Sequence, residues 1–286
     1  MGNQIRIITD SVADLPRAIV DQLGIKVLPA YLVLGENSYL DDDTLDHAWF
    51  YDELMRLSEA PRTAAPPPDE FLKAYEELAA EGAEDIIGLF AAAKMSSINN
   101  HATIAARQFE SARTHIIDTE QVSMGIGWLV ISAAEAAARG ASVEEVCALV
   151  ENMRSRSRVL GVLDSLEHLR RSGRVAWAVA GTVNLLQIKP MISFAHSEAR
   201  LVGRVRTRRR ALQNLVDLVR EAAPLERLAI LHSRPDPDAI ADLQAALAPY
   251  APEQPLMVVE IGPVFGTHVG PRCLGVAFVQ KDSKTP

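Results

Sequence analysis

Four stretches of this sequence carry residue types that could do chemistry: Arg62-Thr63-Ala64-Ala65-Pro66-Pro67-Pro68, Lys94-Met95-Ser96-Ser97, the cluster Arg204, Arg206, Arg208, Arg209 and Arg210, and Gly262 to Pro271 around His268. Each reads as a loop or the end of a strand. A proline-rigid loop with one hydroxyl can present it to a ligand, so Thr63 is either a ligand contact or a helix N-cap. The arginines leave three readings open: paired hydrogen bonds to a carboxylate or phosphate, docking of an acidic partner, or a solvated face. Period-two alternation puts Arg204 and Arg206 on one face of a strand, and the last three arginines splay around a helix's first turn. His268 lies between Gly266 and Gly270, which permit tight turns and close ligand approach, although an isolated histidine is often structural.

The familiar catalytic templates are missing. The sequence has no phosphate-binding loop, no zinc-type histidine pair and no Gly-x-Ser-x-Gly elbow. Gly125-Ile126-Gly127 runs into Trp128-Leu129-Val130 without a third glycine, a poor dinucleotide fingerprint. No cofactor, no metal and no ATP chemistry of the chain's own are therefore expected. A hydrolase built on Ser96 and His268 would need a group to orient the histidine and an oxyanion hole, and no motif specifies either.

The elements that must position these residues follow an alternating pattern. Short apolar, β-branched runs at 5–8, 85–90, 115–117, 159–162, 227–231 and 256–260 predict strands between helices, and so sheets covered on both faces. Ser142 with Glu145 forms a capping box, Gly140 closes the preceding Ala-rich helix, and Pro16 suits a helix's first turn. Several strands end on small polar groups, Thr9-Asp10-Ser11, Asp118-Thr119 and His232-Ser233. Ligands of open α/β sheets bind at such ends, although these groups can equally be N-caps. Runs 187–194 and 200–206, separated by His196-Ser197-Glu198-Ala199, predict an antiparallel hairpin, and 273–279 a further strand.

The chain has 286 residues, which suggests two domains, and the polar, Arg-rich helix end at 152–158 sets the boundary. The expected architecture is two α/β domains, 1–155 with a mainly parallel sheet and 156–286 with a mixed one, and a ligand cleft between them. Hydrophobic residues make up 48% and charged residues 23%, as in soluble globular proteins, which argues against a disordered or fibrous chain. A net charge of -8 opposes nucleic-acid and anionic-membrane partners except through local basic patches. Cys147 and Cys273 have no zinc or disulfide spacing, no apolar run approaches the ~20 residues of a membrane span, and the start has no signal-peptide core. A cytoplasmic location is expected.

Taken together and in order, several segments resemble the DegV family of bacterial lipid-binding proteins, which includes the fatty-acid-binding subunits of fatty acid kinase. They are Ile8-Thr9-Asp10-Ser11 through Pro16, Ile117-Asp118-Thr119, Ser123 to Gly127, Leu166 to Arg174, Ile188-Lys189-Pro190, Gly203 to Thr207, Ile261-Gly262-Pro263, and His268 to Pro271. The resemblance covers nearly the whole chain. It implies a long-chain fatty acid lying in an apolar tunnel and a partner kinase that phosphorylates its carboxylate. It further implies that Thr63, Ser96, Arg206 and His268 surround that carboxylate. The sequence departs from the family pattern at Ala64, Pro67, Ala92 and Ala93, which replace serines, and at Ser97 and Arg272, which replace glycines. A binder of small polyols, akin to the substrate domain of dihydroxyacetone kinases, is the remaining alternative and requires a small wet pocket.

Overall fold

The structure, a computed structural model, describes residues 5–57, 59–179, 188–252 and 256–282. In chain order the first part comprises β1 (Ile5–Asp10), α1 (Arg17–Leu23), β2 (Lys26–Leu28), β3 (Tyr31–Leu34), β4 (Asn37–Leu40), α2 (His47–Leu54), β5 (Arg62–Ala64), α3 (Pro68–Ala80), β6 (Asp85–Phe90), α4 (Ile98–Ala106), β7 (Arg113–Asp118), α5 (Met124–Ala138) and α6 (Val143–Arg156). The second comprises β8 (Ser157–Val162), α7 (Glu167–Ser172), α8 (Ala176–Val179), β9 (Lys189–Ala195), β10 (Glu198–Val205), α9 (Arg208–Ala222), β11 (Leu225–His232), α10 (Pro237–Leu247), β12 (Met257–Glu260), α11 (Pro263–Val269) and β13 (Leu274–Gln280).

The alternating runs build two principal sheets. In the first, of order β2-β1-β6-β7, every pairing is parallel, and all six residues of β6 are buried. The second, of order β10-β9-β8-β13-β11-β12, is antiparallel except for the β11–β12 pair. An α/β protein with one parallel and one mixed sheet is therefore what the alternation encodes. The β9–β10 hairpin turns on His196 and Ser197 at φ of 50° and 59°, the left-handed pair a two-residue turn requires. Glu198 and Ala199, expected in the turn, already pair in β10, and Gln187 of the predicted strand lies outside the described residues.

A third sheet, β4-β3-β5, departs from expectation. The stretch around Thr63 is not a loop but an edge strand, with Thr63 opposite Leu32 of β3. At three residues, with no apolar run, β5 has no periodic signal to reveal it.

Helix α5 joins the two principal sheets. Most of its residues are buried, and it packs on β1 and β6 of one sheet and on β8 and β13 of the other. A Cβ on Gly125 would stand 2.8 Å from the Val159 side chain, and one on Gly127 3.0 Å from the carbonyl of Ala13. These glycines thus serve close packing on both sides and not a phosphate. One apolar core runs from β1 across α5 to β13, while α9 and α10 cover the far face of the second sheet over a smaller core. Among the described residues no helix is long and apolar enough to cross a membrane.

Candidate functional site

A cavity of about 480 Å³ lies between the sheets. Its wall is chiefly apolar, with Val12, Val122, Val159, Phe194, Leu231 and Val264 among the lining residues drawn from both halves of the chain. Its polar lining includes Thr63, Ser96, Ser97, His101, Ser172, Arg174 and His268.

Three of these side chains meet. Edge pairing of β5 presents Thr63, whose Oγ1 lies 3.3 Å from Nε2 of His268 and accepts from Nη2 of Arg174 at 3.4 Å. His268 sits in the last turn of α11, a seven-residue helix begun by Pro263 and not the loop its glycines suggest. Arg174 follows Gly173, which ends α7 in the left-handed region at φ 70° and turns the chain sharply. Burial, assisted by the charge of Arg174, pushes the His268 imidazole down to about 3, so the ring is neutral at physiological pH. Its Nδ1 is sealed from solvent without a hydrogen-bond partner. Arg174 is exposed, desolvation nonetheless lowers its pKa, and its Nη1 donates to the carbonyl of Ser172 at 2.7 Å. Among the described residues no carboxylate pairs with it.

Ser96 lies on the same cavity wall, in the turn between β6 and α4, where its Oγ accepts from the Ile98 amide at 3.3 Å. His101 is a further polar wall residue and is held by a 2.8 Å contact between its Nδ1 and the carbonyl of Pro66.

Arg206 is placed elsewhere. It follows β10 on the exposed face shared by Glu198, Arg200 and Arg204, while Ala199, on the opposite face, lines the cavity. Alternation correctly joins Arg204 to Arg206, but that face points to solvent. The guanidinium at the cavity is Arg174, which sequence reasoning overlooked although it ends one of the segments that carry the resemblance, Leu166 to Arg174. Among the departures, Ala64 lines the cavity where a serine is usual, and Arg272 holds φ 59°, a conformation that explains the usual glycine.

The model of a family described as "Uncharacterised protein, DegV family" matches residues 4–281. A DegV domain-containing protein of Streptomyces coelicolor is 30% identical over 281 residues, covering 96% of this chain and 98% of that protein. A solved structure described as "Fatty Acid Binding of a DegV family Protein from Thermus thermophilus" superposes with a TM-score of 0.89 at 30% identity, covering 97% of this chain and 100% of the other. Another, "DegV, a fatty acid binding protein from Bacillus subtilis", superposes at 0.87 with 28% identity, covering 98% and 100%.

Proposed function

The chain belongs to the DegV family, and from that premise we propose that it binds one long-chain fatty acid and presents the carboxylate to a separate kinase. The observation that carries this reading is Arg174, a cation with no carboxylate partner among the described residues, beside a neutral imidazole whose Nδ1 has no partner among them, on the wall of an apolar cavity. A carboxylate supplies what both lack. Desolvating it is costly unless it gains charge-assisted hydrogen bonds, which Arg174 and the hydroxyl of Thr63 can offer. The tail supplies the affinity, since each buried methylene contributes about 0.8 kcal/mol before entropic losses. The proteins of Thermus thermophilus and Bacillus subtilis, described as fatty-acid-binding, share this fold over nearly their whole length.

Acyl phosphate formation would then proceed by attack of a carboxylate oxygen on the terminal phosphorus of ATP held by the kinase, with ADP leaving. This chain contributes orientation, for which displacement of an ångström costs on the order of a hundredfold in rate. Two observations disfavour a hydrolase. His268 Nε2 faces Thr63 and not Ser96, and no carboxylate among the described residues orients its Nδ1. The apolar wall likewise disfavours a small polyol.

Native mass spectrometry of the purified protein, followed by organic extraction, tests the binding step. A copurifying acyl chain is expected. Apo mass alone, with no palmitate taken up on titration, defeats the reading. Trapping of acyl phosphate with hydroxylamine, only when kinase, ATP and this protein are all present, tests the presentation step.

A further inference from the structure

The strand-end motif Thr9-Asp10-Ser11-Val12-Ala13-Asp14 looks like a binding loop, yet apart from Val12 it stays off the lipid cavity. Instead it buries carboxylates. Asp10, Asp14 and the nearby Asp41 are 0%, 8% and 6% exposed. Asp10 accepts from the amides of Val12 and Ala91, both at 2.9 Å, and closes its own turn against the end of β6. Asp14 and Asp41 reach further. Asp14 Oδ2 accepts from Ser123 Oγ at 2.5 Å and its Oδ1 from the Gly262 amide at 2.9 Å. Asp41 accepts from Ser11 Oγ at 2.8 Å, and the nearby Val264 backbone N–H favours its charged form.

Gly262 and Val264 begin α11, the helix that ends at His268. Its N-cap is a glycine, so no local side chain can satisfy the first amides, which a helix leaves without intrahelical partners. The carboxylate of Asp14, beyond β1 in the other half of the chain, accepts the Gly262 amide, and that of Asp41, beyond β4, stands beside it. The approach is close. A Cβ on Gly262 would stand 3.1 Å from Asp14 Oδ1 and 3.3 Å from Asp41 Oδ1. Tyr51 of α2 adds a third tether, its hydroxyl donating to the carbonyl of Ile261 at 2.7 Å and packing where Gly266 leaves room. A helix of seven residues cannot tilt at its first turn without displacing its last.

We infer that Asp14 and Asp41 are positioning residues: Asp14 by accepting the Gly262 amide across the junction, and Asp41 by standing against the same helix start, they fix α11 and through it hold the His268 imidazole against Thr63. As a role in the head-group site this rests on the fatty-acid reading, but its test needs no lipid. The two halves of the site are then aligned by the same contacts that join the two sheets.

The test follows the His268 ring by NMR in the unliganded protein across pH. In the wild type the ring should show no titration above about pH 5, being buried beside Arg174. In Asp14→Gly, which suits the left-handed backbone at this position, and in Asp41→Ala, the ring should titrate near its ordinary value of about 6.5. Asp14→Asn and Asp41→Asn keep an acceptor oxygen and should retain wild-type behaviour. Removing a negative charge alone would push the imidazole further down, so an upward shift reports displacement and rehydration of the ring. A ring that stays silent in the folded glycine and alanine variants, or asparagine variants that titrate like them, overturns the inference. Hydrogen exchange at the Gly262 amide of the wild-type protein decides the matter if a variant fails to fold. Slow exchange there is expected, and rapid exchange refutes the capping. Absence of lipid uptake would defeat the fatty-acid reading and leave these outcomes unchanged.

Discussion

Arg174 carries the head-group argument, and its contribution is separable from that of the tail. A hydrogen bond from a charged group contributes about 1.5–3 kcal/mol when buried, and the exposure of Arg174 points to the lower end at most. Arg174→Ala should therefore weaken palmitate binding about tenfold, the equivalent of about 1.4 kcal/mol, and leave hexadecanol binding nearly unchanged. Displacement of a fluorescent fatty acid by each ligand measures both. Equal losses for acid and alcohol would mean that Arg174 shapes the cavity and does not recognise the head group. Thr63, Ser96 and His268 could be singled out from sequence because each is a polar group in a stretch flanked by proline, glycine or a helix start. Arginine density drew attention to the cluster from Arg204 to Arg210, and the family resemblance to Arg206 within it, instead of to Arg174. A single arginine after a helix-ending glycine has no periodicity, and its importance comes from where the Gly173 turn sends the chain.

Sequence periodicity reveals elements only when they are long enough to repeat. The buried strands of both principal sheets are such elements, and so is α6, whose capping box forms with bonds of 2.8 and 3.2 Å between Ser142 and Glu145. The two elements that deliver Thr63 and His268 are three and seven residues long, and their prolines and glycines imitate loops. The arginines after β10 divide more finely than their spacing suggests. Arg208 is partly buried and donates to the carbonyl of Arg272 at 2.8 Å, whereas Arg206, Arg209 and Arg210 are exposed. Cations in a helix's first turn oppose its macrodipole, so Arg209 and Arg210 are not explained by the stability of α9. In the kinase reading they form an electrostatic docking face. Arg206→Glu with Arg209→Glu and Arg210→Glu should weaken the kinase complex at least tenfold at low salt, less at high salt, with lipid affinity and melting temperature unchanged. Parallel loss of lipid binding would assign these arginines to the ligand.

At the scale of the whole molecule, buried titratable groups make stability depend on pH in two opposing senses. Burial raises Asp10 and Asp41 to about 6 and also raises Asp14, so between that pH and the ordinary carboxylate value the folded state holds protons that the unfolded chain has released. Stability from these groups therefore rises as pH falls through that window and is lost as pH climbs through 6. His268 acts the other way. Its folded value of about 3 lies below that of an ordinary imidazole, so below about pH 6.5 the unfolded chain gains a proton that the folded protein refuses, and stability falls. His168 and His232, lowered by burial, share that sign. Each group whose protonation differs fully between the states contributes about 1.4 kcal/mol per pH unit. His268→Gln removes a destabilising acid-side contribution, so the change in melting temperature from pH 7 to pH 5 should be more positive than in the wild type. Asp41→Asn removes a stabilising one and should make the same change more negative. Thermal melts of the three proteins at both pH values measure these differences. If the His268→Gln and wild-type curves shift in parallel, His268 is not held neutral at the junction, and its place in the head-group site fails with it.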